Sequence, residues 1–172
     1  EDFRDYFKPN KEKVTFDTEL IIEKSLKLIA SDFKNSKIDV VKNIDKIELY
    51  GLPRELIQVL MNILKNGKDI LEESDIKDKI IEINISEDDL NVVISIHDNG
   101  GGIPDDIIGK IFEPYFTTKH QTQGTGIGLY MSYEIITKHM NGNIEVVNES
   151  IKYKENEYIG ANFKITIPNI LN

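Results

Sequence analysis

The chain has 172 residues, 40% of them hydrophobic and 30% charged, with a net charge of −9 and no cysteine. That length supports one domain with a core of its own, and the negative balance argues against the basic face of a nucleic-acid binder. Disulfides and thiolate metal sites are excluded, no apolar run approaches the ~18 residues of a membrane-spanning helix, and no signal peptide opens the chain.

The first residues, Glu1 to Lys8, place Phe3, Tyr6 and Phe7 at i, i+3 and i+4 before Pro9-Asn10 stops the pattern. This is either a local packing turn or the end of a helix from an upstream module. The start without Met points to an excised piece of a longer protein. Lys13 to Phe16 reads as a short strand, after which Asp17 or Thr18 caps a helix carrying Leu20, Ile21, Ile22, Leu26, Leu28 and Ile29. Ile38 to Val41 and Ile47 to Tyr50 read as two strands joined by a polar turn.

Pro53 to Glu73 is the strongest helical pattern. Leu56, Leu60, Ile63, Gly67, Ile70 and Leu71 fall on its core side, and Glu55, Gln58, Asn62, Asn66 and Asp69 on the other. A polar stripe is ordinarily just solvated. Two asparagines at i, i+4 are less ordinary, since Asn prefers caps to helix interiors, and an amide oxygen on a rigid helix suits a hard cation such as Mg²⁺. Gly67 costs roughly 1 kcal/mol of helix propensity against Ala, which marks either a close approach or simple tolerance. Ile80 to Ser86 and Val92 to His97 form two strands around the acidic turn Glu87-Asp88-Asp89. Ile127 to Met140 reads as a helix ended by Asn141-Gly142, and Ile144 to Val147 pairs with Gly160 to Pro168 as a closing hairpin. The order implies an α+β fold, a two-layer sandwich with helices on one face of a mixed, mostly antiparallel sheet.

Between these elements lie two glycine clusters, Asp98-Asn99-Gly100-Gly101-Gly102-Ile103-Pro104 and Gly124-Thr125-Gly126-Ile127-Gly128-Leu129, separated by Ile111-Phe112-Glu113-Pro114-Tyr115-Phe116-Thr117-Thr118-Lys119. Such loops bring backbone amides close to phosphates and planar rings, and a carboxylate opening the first cluster adds an acceptor for a base. The pattern implies a nucleotide pocket with a mobile cover. It is neither a P-loop, because Gly109-Lys110 is followed by Ile111 and position 104 is Pro, nor a dinucleotide fingerprint, because no βαβ unit surrounds G-x-G-x-G.

Four motifs in order resemble those of the catalytic, ATP-binding domain of two-component sensor histidine kinases, in the superfamily that includes gyrase, mismatch-repair and heat-shock chaperone ATPases. Gln58 to Asn66 resembles the asparagine motif, Asp98-x-Gly100-x-Gly102 the first glycine motif, Ile111 to Lys119 the phenylalanine motif, and Gly124 to Leu129 the second glycine motif. Gly160-Ala161-x-Phe163 resembles the family's ending. The resemblance implies a Bergerat-type fold over residues 10–172, with residues 1–9 ending a dimerisation helix and an ATP lid over about 103–124.

It further implies that Asn66 holds Mg²⁺ and Asp98 accepts from the adenine amine, while Gly100 and Gly102 let the backbone pass close to the base. Gly126, Ile127, Gly128 and Leu129 would meet the phosphates at a helix N-terminus. Asn62, Ile103, Lys110, Thr117, Lys119, Gly124 and Thr125 complete the implied ATP-binding set, and Phe112 and Phe116 anchor the lid or pack in the core. Gly67 departs from the family's usual alanine.

His97, His120 and His139 lack the His-Glu/Asp context of a phosphoacceptor, so that histidine is expected upstream, on a dimerisation domain. The ATPases of the superfamily carry a general-base Glu where this chain has Asn62, which cannot take a proton. The implied activity is therefore transfer of the γ-phosphoryl group of Mg·ATP to that histidine. A nucleotide-gated module without transfer and a hydrolytic ATPase are the alternatives. A response-regulator receiver domain, a homodimeric parent and a cytoplasmic location without nucleic-acid or membrane contact complete the expectation.

Overall fold

The computed structural model describes residues 12–117 and 126–169. The aromatic stripe Phe3, Tyr6 and Phe7 lies outside them. Strand β1 (Val14–Asp17) runs into helix α1 (Thr18–Asn35), and the Asp17 carboxylate caps the helix by accepting from the Glu19 amide at 2.9 Å. Strands β2 (Ile38–Ile44) and β3 (Glu48–Gly51) follow, but the polar turn between them is no hairpin. β3 pairs antiparallel with β1 in a separate two-stranded sheet, and β2 joins the main one.

That main sheet contains β2, β4 (Lys79–Asp88), β5 (Asn91–Asp98), β7 (Asn156–Pro168) and β6 (Asn143–Tyr153), in that spatial order. β2 and β4 are parallel, and the remaining pairs antiparallel. Alternation along the strands separates two faces. Ile81, Ile83 and Ile85, Val92, Ile94 and Ile96, and Ala161, Phe163, Ile165 and Ile167 share one core with the helices. The opposite face is polar: Ser95 donates to Asn162, Asn162 and Lys164 donate to Glu149, and Asn84 donates to Glu82.

Helix α2 (Pro53–Glu73) starts on proline, whose missing N–H is no loss at that position. Beyond the expected core face it also buries Ile57, Val59, Met61 and Leu64, because helical layers flank it on more than one side. Each such side chain contributes about 1.5–3 kcal/mol by burial, far more than propensity does. A Cβ on Gly67 would lie 3.1 Å from Ile81 Cδ1, so the glycine sets how closely α2 rests on β4.

After β5 come a single turn, α3 (Asp105–Ile108), and helix α4 (Gly128–Glu134), which continues into a π-helical turn, Ile135–His139. The sequence pattern implied one regular helix here. In the π-turn the Met140 amide reaches back to the Ile135 carbonyl at 3.1 Å, and the widened turn lets Ile135, Ile136 and Met140 all be buried. β6 and β7 are longer than expected and meet at Lys154-Glu155, both with positive φ of 49° and 65°. Among the described residues, no helix is long and apolar enough to cross a membrane.

Candidate functional site

A cleft of about 370 Å³ opens between α2, the segment after β5 and the start of α4. Its α2 wall comes from Asn62, Lys65, Asn66, Asp69 and Ile70, so the polar stripe that carries the two asparagines faces a cleft. Gly102, Ile103, Pro104, Ile107 and Ile111 form a second wall, and Phe116, Thr117, Gly126, Gly128 and Leu129 a third. Residues of all four motifs, distant in sequence, thus meet around one space.

Asn66 lines the cleft, and its side-chain amide has no hydrogen-bond partner among the described residues. A neutral oxygen donor on a rigid helix, open to the space, fits a hard divalent cation carrying water and phosphate oxygens. Asn62 one turn earlier is differently engaged. Its Nδ2 donates to the Gly128 carbonyl at 3.0 Å and to the Ser132 hydroxyl at 3.1 Å, and that hydroxyl donates to the same carbonyl at 3.0 Å. Ser132 is fully buried. This triangle ties α2 to the first turn of α4 and demands a donor at position 62.

Asp98 stands apart from the cleft lining, ending β5 with 3% exposure. Its carboxylate accepts from the Gly100 amide at 2.8 Å. Burial pushes its pKa above the ordinary aspartate value, against the lowering effect of the Gly100 and Ala161 amides and of nearby His97. Gly100 packs so closely that a Cβ there would lie 2.5 Å from Ile70 Cγ2 and 3.1 Å from the Asp98 carboxylate. Ile70, which does line the cleft, therefore stands beside the buried carboxylate. Behind it, a Cβ on Gly160 would sit 1.5 Å from the Asp98 carbonyl oxygen, so only glycine lets β7 pass. Asn99, fully buried, holds the neighbouring backbone through the Ile80 amide and the Asp78 carbonyl.

The phenylalanine segment divides in two. Phe112 packs against Tyr133 and edge-on against Phe163, with centroids 5.8 and 6.3 Å away, and it does not line the cleft. Ile111 is buried, and Ile107 and Ile108 rest on the core, so the start of the expected lid is anchored to the body of the domain. Phe116 both packs on the core and lines the cleft. The Tyr115 amide donates to the Gly126 carbonyl at 3.0 Å, and a Cβ on Gly126 would lie within 2.6 Å of the Tyr115–Phe116 backbone. That contact brings residues 115–116 against residue 126.

Of the residues expected to bind nucleotide, Asn62, Asn66, Gly102, Ile103, Phe116, Thr117, Gly126, Gly128 and Leu129 surround the cleft. Asp98, Gly100, Lys110, Phe112 and Ile127 do not line it, and Lys110 is exposed. Lys119, Gly124 and Thr125 lie outside the described residues. The sequence reading missed Lys65, Pro104, Ile107 and Ile111 and the cleft-facing side of Asp69 and Ile70. Neither described histidine reaches the cleft: His97 Nε2 bonds the Glu149 carbonyl at 3.1 Å, and His139 pairs with Glu55 at 2.9 Å. His120 lies outside the described residues.

The sensor histidine kinase ZraS of Escherichia coli (strain K12) is 32% identical over 154 residues, covering 88% of this chain and 30% of the relative. Sporulation kinase A of Bacillus subtilis (strain 168) is 34% identical over 124 residues, covering 72% and 18%. The chain thus spans less than a third of the length of these relatives. Among solved structures, the catalytic domain of histidine kinase ThkA in a nucleotide-free form matches with a TM-score of 0.75 and 26% identity, covering 92% of this chain and 96% of that one. A complex of ThkA with the response regulator protein TrrA matches with a TM-score of 0.71 and 23% identity, covering 91% and 42%. Residues 51–170 match the family model described as histidine kinase-, DNA gyrase B- and HSP90-like ATPases, and the chain belongs to that family, with the fold of histidine kinase ATP-binding domains.

Proposed function

We propose that this domain binds Mg·ATP in the cleft and presents the γ-phosphoryl group to a histidine on an adjoining dimerisation domain of its parent kinase, from which a response-regulator receiver domain takes it. The observation that carries the reading is the bonding of Asn62. At the place where a hydrolytic relative needs a proton-accepting carboxylate, this chain has an amide whose N–H groups are committed to Gly128 and Ser132. The site can position a triphosphate but has no base there to activate water. Catalysis then rests on alignment and charge neutralisation.

Asn66 would hold Mg²⁺, which supplies charge neutralisation at the phosphate oxygens. The backbone of Gly126 to Leu129 would meet the phosphates, and Ile103 and Leu129 would face the base. Asp98 would read the adenine amine once Ile70 gives way. This reading includes a homodimeric parent and a cytoplasmic domain, and it follows the kinase relatives and the ThkA–TrrA neighbour.

Base choice and metal dependence test the assignment together. Guanine puts a carbonyl where adenine puts its amine, and an unmatched buried acceptor costs about 1–3 kcal/mol, roughly ten- to a hundredfold in affinity. Calorimetry should therefore show ATP bound more tightly than GTP, and Asn66→Ala should remove the Mg²⁺-dependent part of ATP affinity. Equal binding of both nucleotides would contradict the role of Asp98, and an Asn66→Ala variant with unaltered affinity would remove it from the metal site.

A further inference from the structure

Asn148 lies on β6, paired with Ala161 of β7, and its side chain reaches out of the strand to the segment that follows β5. There it engages both backbone groups of one residue. The Ile103 amide donates to Asn148 Oδ1 at 2.9 Å, and Asn148 Nδ2 donates to the Ile103 carbonyl at 2.7 Å. A primary amide presents a donor and an acceptor side by side, as the edge of a strand does. Asn148 thus works as a one-residue extension of the sheet, made for Ile103.

Two neighbouring features depend on the same contact. Gly102 has φ of +84°, and a Cβ there would lie 2.8 Å from Asn148 Oδ1, so the space beside Gly102 is filled by this side chain. One residue earlier the Gly101 amide donates to the Ile159 carbonyl at 2.8 Å. The chain leaves β5, turns through the glycines and is pinned at Gly101 and Ile103 by β7 and β6. Pro104 follows at once and has no amide to pin. Ile103, 8% exposed, is a wall of the cleft, so whatever fixes its backbone fixes the shape of that wall.

We infer that Asn148 is a positioning residue for nucleotide binding: it holds Ile103 in the cleft wall and sets the point from which the following segment departs. The inference rests on the nucleotide-site reading above. Asn148 does not itself line the cleft but stands behind Ile103 and Gly102, which do, so its loss acts through them. Serine or alanine cannot make both bonds. Aspartate keeps the shape and the acceptor for the Ile103 amide but sets an oxygen against the Ile103 carbonyl, which separates the lost donor from any cavity.

The test uses this chain with a non-hydrolysable ATP analogue and Mg²⁺, comparing wild type, Asn148→Ala and Asn148→Asp by calorimetry and by amide hydrogen exchange. Both variants should bind the analogue about tenfold more weakly. In Asn148→Ala the Ile103 amide should exchange faster, while the Ile80 amide, held by Asn99, keeps its protection. In the parent kinase the same variants should raise KM for ATP and leave kcat at saturating ATP unchanged, a split that general destabilisation would not produce. Variants that bind as tightly as wild type, or an Ile103 amide indifferent to the Ala change, would overturn the inference. A wild-type chain that fails to bind the analogue would overturn the nucleotide reading itself and this inference with it.

Discussion

Replacing Asn62 with the isosteric aspartate tests the brace between α2 and α4. In the wild type, Nδ2 donates to the Gly128 carbonyl and to the Ser132 hydroxyl at 3.0 and 3.1 Å. A carboxylate offers neither hydrogen. Gly128 then faces another acceptor, and Ser132 can satisfy the new oxygen only by abandoning its own bond to Gly128. Two neutral hydrogen bonds at about 0.5–1.5 kcal/mol each, plus the cost of acceptor facing acceptor in a half-buried place, give a loss of about 2–4 kcal/mol. For a domain of this size that lowers Tm by roughly 5–15 °C. Urea titration and thermal melting of Asn62→Asp at neutral pH measure it. A loss below about 0.5 kcal/mol would show that the amide braces nothing, and a simultaneous gain of phosphate release would restore position 62 to the role of a base.

Three further perturbations follow from the geometry around Asp98. Ile70→Ala should open the approach to the carboxylate and bind an ATP analogue several-fold more tightly, while costing about 1–2 kcal/mol of stability; weaker binding would mean that Ile70 serves as a platform for the base. Gly160→Ala should cost about 3 kcal/mol or more, because its Cβ would fall on the Asp98 carbonyl; a loss under 1 kcal/mol by urea titration would refute that packing. The raised Asp98 pKa makes the native state hold this proton more firmly than the unfolded chain does. Its contribution to stability is therefore complete below the unfolded value of about 3.9 and is lost as pH rises through the higher folded value. The stability of wild type relative to Asp98→Asn should fall over that interval, and a flat difference would mean that Asp98 titrates normally.

The helices were the most legible part of the fold, for local reasons. Asp17 caps α1 and Pro53 opens α2, as their positions before apolar periodic runs imply. What stayed hidden depends on distant partners or on conformations without a residue signature. β2 and β3 look like neighbours in sequence, but their pairing is decided by β4 and β1. The β6–β7 turn places Lys154 and Glu155 at positive φ without the Asn-Gly pair that would mark it, so the sequence does not show how far both strands extend. The π-turn replaces a regular turn without altering the apolar pattern.

The site followed the same division. The glycine and asparagine motifs contribute residues to the walls of one cleft, and they are visible in sequence because close backbone approach and a helix-borne amide leave marks there. Ile70 falls on the core side of the apolar pattern because helical periodicity cannot distinguish a core from the wall of a cleft. Asn148, in an otherwise ordinary strand, carries no local signal of its bond to Ile103.

Transfer of phosphate is the central claim, and γ-labelled ATP tests it most directly. The chain alone should bind ATP, label none of its own residues and release little phosphate. With the upstream dimerisation segment of its parent restored, an acid-labile, base-stable adduct should form, and mutating the histidine of that segment should abolish the adduct without changing ATP affinity. Brisk phosphate release by the chain alone would contradict the account in favour of a hydrolytic ATPase, and an intact dimeric parent that forms no adduct would contradict it in favour of a nucleotide-gated module.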